Sequence, residues 1–287
     1  MRNELKFPGY ALQDETIVSN AMERHFARQL GELDKMTAVA LKLLKASDAI
    51  VIPLALGKTP MIVLALYSKL LKTVRAIRVV GALSLVEDAQ VLCRTLAETA
   101  VAIRYILQKK SALRADEYVA HKIMRTKHLM NIWSKTPGLK LRAKPIMKMA
   151  EIHSAPYAYL GEKRLKELRR WYWGDRPMAE VFKEVGLERM YHVVYVQFAG
   201  VQHVSDAERH VNIGDKGTVT VLLGSSDEGQ MNVVLQTTLT LLWLTMSRLS
   251  RKFKMGYEAD IANMKPEHSV YEALRAWRLR QRAKRKP

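Results

Sequence analysis

Cysteine is almost missing from this chain: Cys93 is the single thiol among 287 residues. One thiol excludes an internal disulfide and a cysteine-based zinc cage, which makes a reducing cytosol the default compartment. Proline and glycine are sparse, at 9 and 14 residues, and form neither a linker nor a repeat. Long uninterrupted apolar runs are lacking as well. Residues 49–70 are broken by Pro53, Gly57, Lys58 and Pro60, and residues 233–246 fall short of the ~20 that a bilayer span needs. The second run also carries Gln236 and several threonines, which suits a buried core helix. The opening MRNELKFPGY has no apolar core of the kind a secretory signal requires. No membrane span is expected, and the chain reads as cytoplasmic.

Acidic residues are the other shortage. There are 28 Asp+Glu against 47 Lys+Arg, a net charge of +19, in a chain that is 48% hydrophobic and hence able to bury a core. The excess is not spread evenly. It is +3 over residues 1–103, +12 over 104–170, −3 over 171–274 and +7 over 275–287. An anionic partner such as nucleic acid is the first implication. In the central block the candidate phosphate-holding residues are Arg104, Lys122, Arg125, Lys140, Arg142, Lys144, Arg169 and Arg170. Tyr157, Tyr159, Trp171, Tyr172 and Trp173 interleave with its second half or border it. Aromatic faces beside cations suit single-stranded nucleic acid, because bases stack while the cations hold phosphates. The plainer alternative is a set of amphipathic helices whose charged faces are solvated and whose tryptophans are packed inside. In the tail, Arg278, Arg280, Arg282, Lys284 and Arg285 offer the same chemistry, against the reading of a solvated terminus.

Most of the chain has helical periodicity, and the expected fold is all-α. Helices are expected over Asp14–Ala46, Met61–Val80, Ser84–Lys109 and Asp116–Trp133, the last ended by Pro137-Gly138. Shorter helices are expected over Ile146–His153, Glu162–Trp173, Pro177–Val185 and Leu187–Val204, and Ser225–Asp227 supply caps for a last long helix through Lys254. The β-branched run at 218–223, bounded by Gly217 and Gly224, is the one extended segment. The simplest organisation is an N-terminal helical extension over 1–60, a bundle-like helical core over 61–274 and the basic tail over 275–287.

Familiar catalytic motifs fail one by one. Gly57-Lys58-Thr59 lacks the earlier glycine of a phosphate loop, since Ile52 stands there, and reads as a break between helices. His121 and His128 lie two turns apart on one helix, ~10 Å between side chains, too far to share a metal ion. His203 and His210 repeat that spacing with Asp206 and Glu208 between them, a pattern better explained by polar packing than by a metal. Helical ribonucleases of the HEPN type place a His more than a turn after an Arg. Here Arg125–His128 and Arg189–His192 leave only two residues between, and His203 precedes Arg209. No metal and no cofactor are expected.

One constellation stands out. In VEDAQVLCRTLAETAVAIRYIL, Arg94 and Glu98 lie one turn apart within an apolar surround, costly unless their hydrogen bonds are completed. Later, Tyr191, Tyr195 and His203 recur at helical spacing in RMYHVVYVQFAGVQHVS. These segments, with the WYWGDRP turn between them, resemble the bacterial helical family labelled domain of unknown function 5677. The resemblance covers about residues 61–255. The matching positions are Arg94, Glu98, Tyr105, Trp171, Tyr191, Tyr195 and His203, and the departure is Ala199-Gly200 where the family tends to carry a serine. It implies an all-helical fold that brings the two helices together, and it supplies no activity.

We therefore expect Arg94, Glu98, Tyr195 and His203 to form one polar cluster. It either knits two core helices together or serves as a catalytic site, Arg94 holding a phosphate and His203 acting as general acid/base. Two functions follow from these readings. The first is an intracellular nucleic-acid-binding protein, in its sharper form a ribonuclease-like effector. The second is a noncatalytic scaffold or regulator whose basic surfaces meet an acidic protein partner.

Overall fold

The apolar spacing read above becomes a succession of helices. The structure, a computed structural model, describes residues 20–50 (save 22), 58–196 (save 84), 198, 211–213, 219–221, 228–267 and 270. The long helices are α1 (Ala27–Ile50), α2 (Lys58–Ala82), α3 (Val86–Gln108), α4 (Ser111–Lys135) and α5 (Lys140–Ser154). A 3₁₀ turn (Ala155–Leu160), α6 (Glu162–Leu168), α7 (Met178–Glu184) and α8 (Glu188–Tyr191) follow, the last running into a π turn over His192–Val196. Strands β1 (Val211–Ile213) and β2 (Val219–Val221) pair antiparallel with Val211 opposite Val221, before α9 (Glu228–Phe253) and α10 (Glu258–Ala262). The fold is all-α, with this one small pair of strands among the described residues. The β-branched run thus forms a strand over three of its residues, while its partner β1 is too short to show a period. The expected start at Asp14 and the caps at Ser225–Asp227 lie outside the described residues.

The chain divides into two compact units, and the divisions fall inside α1, α2, α3 and α8. The first comprises residues 1–48, 67–100 and 189–287. Its core takes Leu30, Leu33, Met36, Ala40 and Leu43 from α1, spaced to form one stripe. Helix α9 is buried over most of its circumference, including Thr237, Thr238 and Thr245. Each of these hydroxyls donates to the carbonyl four residues earlier, at 2.7–2.8 Å, which satisfies it without an external partner. That is how a helix rich in threonine can serve as a core element. Among the described residues no helix is long and apolar enough to cross a membrane.

The second unit comprises residues 49–66 and 101–188. Lys110 at φ 46° breaks the chain between α3 and α4, and Gly138 at φ 78° turns it between α4 and α5. The left-handed region suits glycine and costs other residues about 1 kcal/mol, so Pro137-Gly138 ends α4 where the sequence places the end. Helix α5 packs on α4 and on the 3₁₀ turn. Ala120, Tyr157 and Leu168 form a small core, with Val119, Ile123, Leu160 and Leu165 against it. His121 is buried beside it, Nδ1 lying 2.6 Å from the Leu168 carbonyl. Burial lowers the His121 pKa, with Arg125 and Lys122 adding to the effect against the Leu168 hydrogen bond.

Candidate functional site

Arg94 and Glu98 face the same side of α3, as i,i+4 spacing requires, with Arg94 Nε 3.5 Å from the Glu98 carboxylate. The partner arrives from the π turn after α8. Tyr195 donates its hydroxyl to Glu98 in a short hydrogen bond, and the Arg94 guanidinium carbon lies 4.2 Å from the centroid of its ring. Tyr191 stacks on Tyr195 with centroids 5.3 Å apart and planes at 14°. A π turn inserts one extra residue per turn and recurs at functional sites, because it re-aims a side chain that a regular helix would point elsewhere. Burial, followed by the Glu98 hydrogen bond and charge, raises the Tyr195 pKa against the opposing effect of Arg94. The phenol therefore stays protonated and acts as a donor.

Three of the four expected cluster residues thus meet, and His203 lies outside the described residues. The side chains of Arg94 and Glu98 are 20% and 37% exposed, so the cluster opens to solvent and is not a sealed core pair. Cys93, one residue before Arg94, points the other way and is fully buried. Burial drives its thiol pKa up to about 12 against a weak counter-effect of a Thr238 hydrogen bond, so it is packing rather than a nucleophile.

The second element of the motif series is the WYWG turn after α6. Trp173 is buried and its Nε1 donates to the Arg176 carbonyl at 3.2 Å. Trp171 stacks on it, centroids 5.1 Å apart and planes at 9°, while remaining 37% exposed. The Gly174 N–H closes the turn onto the Trp171 carbonyl at 3.0 Å. Gly174 has φ 89°, and a Cβ there would sit 2.4 Å from an Arg164 guanidinium nitrogen, so no other residue fits without a shift.

The model of a family of unknown function, DUF5677, matches residues 61–218. This span takes in the Arg94–Glu98 helix, the WYWG turn and the tyrosine pair, and it is more than half of the chain. The chain belongs to that family. The match ends at residue 218, short of the 255 expected from the motifs. No curated protein and no solved structure matches the chain.

Within this DUF5677 member, most of the expected phosphate-holding residues of the second unit are exposed. Lys122 and Arg125 lie on α4, Lys140, Arg142 and Lys144 on α5, and Arg169 and Arg170 directly precede Trp171. Among the described residues none of these seven forms an ion pair within 4 Å of a carboxylate. Arg104 differs. It is half-buried and its Nε donates at 3.0 Å to the Val185 carbonyl, completing the C-terminal end of α7. Arg278, Arg280, Arg282, Lys284 and Arg285 lie outside the described residues. Lys58, of the Gly-Lys-Thr segment, sits in the first turn of α2, 3.6 Å from Asp116 and 4.8 Å from the centroid of the Tyr157 ring. Among the described residues no group of three or more His, Cys, Asp or Glu is placed to hold a metal ion.

A third cluster carries no signal in the sequence. Glu184 accepts hydrogen bonds from Arg114 at 2.5 Å and Arg176 at 2.7 Å. The Arg114 guanidinium lies 3.8 Å from the centroid of the Tyr105 ring, and Arg176 donates to the Tyr105 hydroxyl at 3.2 Å. Together they line a polar cavity of about 640 Å³ with Arg164, Glu167 and Trp173. Burial alone would raise the Glu184 pKa, but the bonds and charges of the two arginines outweigh it and hold the carboxyl below its ordinary value. Among these residues Tyr105 belongs to the family pattern. The arginines come from α4 and from the turn before α7, 70 and 8 residues from Glu184, so no local spacing marks them.

Proposed function

We propose that this protein binds single-stranded nucleic acid along its second unit. The observation that carries the reading is the exposed Trp171, held flat on the buried Trp173 and immediately preceded by the exposed Arg169 and Arg170. A rigid aromatic face beside two cations offers a base one stacking surface and its phosphates two partners. Lys122, Arg125, Lys140, Arg142 and Lys144 extend the positive field. Fluorescence anisotropy with labelled RNA and DNA oligonucleotides at two salt concentrations tests this. Binding should weaken steeply with salt, and Trp171→Ala should weaken it about tenfold, since base stacking is worth about 1–3 kcal/mol. Absence of binding to either polymer at low salt sinks the reading.

The ribonuclease-like form of the proposal assigns chemistry to Arg94, Glu98, Tyr195 and His203. Arg94 would hold a phosphate and His203 would move the proton, while Glu98 and Tyr195 fix the guanidinium. Arg94→Ala and His203→Ala should each abolish cleavage of the oligonucleotide, and His203→Ala should leave its affinity within about twofold. Unchanged cleavage in both, with the variants folded, moves the chemistry elsewhere.

A further inference from the structure

Among the described residues, helix α5 is held on one side only. Its small residues Ala143 and Ala150 are buried, whereas Leu141 is 87% exposed, Ile152 57% and Met149 52%. Positions 141, 145, 149 and 152 recur every three or four residues, so Leu141, Pro145, Met149 and Ile152 make an apolar stripe along the exposed face of α5. Beside it Lys140, Lys144 and Lys148, spaced four apart, form a continuous exposed ridge. Among the described residues none of the three is ion-paired. Between the ridge and α4 runs a groove of about 890 Å³, lined by Met130 and Ser134 of α4 and by Leu141, Ala143, Pro145, Met147 and Glu151 of α5 with the three lysines; of the stripe, Leu141 and Pro145 reach it.

We propose that this groove receives an acidic amphipathic helix of a partner protein, as a third helix packed on the α4–α5 pair. Four observations select that occupant. The groove is concave, which suits the ridge of a helix better than the flat face of a bilayer. Its apolar lining is aliphatic and thioether, with two methionines that can adapt to a partner's side chains, and no aromatic ring lines it for a base to stack on. The lysine ridge calls for carboxylates at the same four-residue spacing along the partner. A second copy of this chain would present the same lysines and be repelled. The groove shares Lys140 and Lys144 with the positive field proposed for nucleic acid but not the Trp171 platform, so Trp171→Ala separates the two proposals.

The test uses the full chain and a fluorescein-labelled, 16-residue helical peptide with Leu at i, i+3, i+4 and i+7 and Glu at i+1, i+5 and i+9 on one flank. Anisotropy should report saturable binding of this peptide and none of a version with each Glu replaced by Lys. Lys144→Glu combined with Lys148→Glu should weaken binding at least tenfold, and so should Leu141→Ser, an exposed site where folding is not at risk. Trp171→Ala should leave it unchanged. Equal binding of the charge-reversed peptide overturns the proposal, as does no effect of the lysine variants. Leu141-dependent binding of phosphatidylserine vesicles or of an RNA oligonucleotide, in the absence of peptide binding, assigns the groove to lipid or nucleic acid and overturns it too. So does Leu141-dependent self-association seen by sedimentation.

Discussion

The Tyr195 hydroxyl donates to the Glu98 carboxylate across 97 residues of sequence, and it does so from a π turn rather than a regular helix. This bond ties α3 to the segment after α8. The Arg94 guanidinium over the same ring closes the group on itself.

Removing that bond separates its contribution from that of the ring. Tyr195→Phe keeps the stacking on Tyr191 and the face under Arg94 but leaves Glu98 without its donor. Because Glu98 is more than a third exposed, water replaces part of the loss, and we expect about 1 kcal/mol of destabilisation in urea unfolding. A double-mutant cycle with Glu98→Gln should give a coupling energy of similar size. Additive single effects would show that the bond contributes nothing.

Glu184 makes a stronger claim on stability, since its partner Arg114 is only 12% exposed. Glu184→Ala leaves two guanidinium groups facing each other, and we expect a loss of about 2–3 kcal/mol. The pH dependence has a definite sign. The native carboxyl titrates below its unfolded value, so the stabilisation is complete above the ordinary carboxylate pKa and is lost as pH falls through the native one. Thermal unfolding of the wild type should therefore lose stability more steeply below about pH 4 than that of Glu184→Gln. Parallel curves for the two would contradict the assignment.

Gly174→Ala should destabilise by about 1–3 kcal/mol, because it forces a Cβ onto Arg164 at a positive φ. The displaced turn should also disturb the Trp171–Trp173 stack, readable as a change in near-ultraviolet circular dichroism. A variant as stable as the wild type, with the same spectrum, would mean that the turn tolerates the crowding.

Cys93 should be silent in the folded protein. With no exposed surface and its pKa raised by burial, it should resist a thiol reagent such as Ellman's at pH 8 and react fully in guanidinium chloride. Rapid labelling under native conditions would show that the packing of α3 against α9 opens readily.

Much of the helical framework is legible in the sequence. The apolar stripes of α1 to α4, the stop at Pro137-Gly138 and the β-branched strand all follow from short-range sterics and periodicity, which act within a few residues. The Arg94–Glu98 pair is visible for the same reason, being one turn apart. Arg104 shows the limit of such reasoning. Charge alone placed it with the phosphate-holding residues, and the fold turns it onto the Val185 carbonyl.

What the sequence determined by itself was the helical class, the uneven distribution of its positive charge and the presence of a conspicuous Arg–Glu helix. The tertiary structure alone decided which arginines are neutralised and which face water. Arg114, from 70 residues away, and Arg176, from 8, converge on Glu184, whereas Arg169, Arg170 and the lysines of α5 remain on the surface beside Trp171 and an open groove. The reason is one of range. A charge in a sequence has no partner until packing brings one within a few ångströms, and that distance is set by the whole fold.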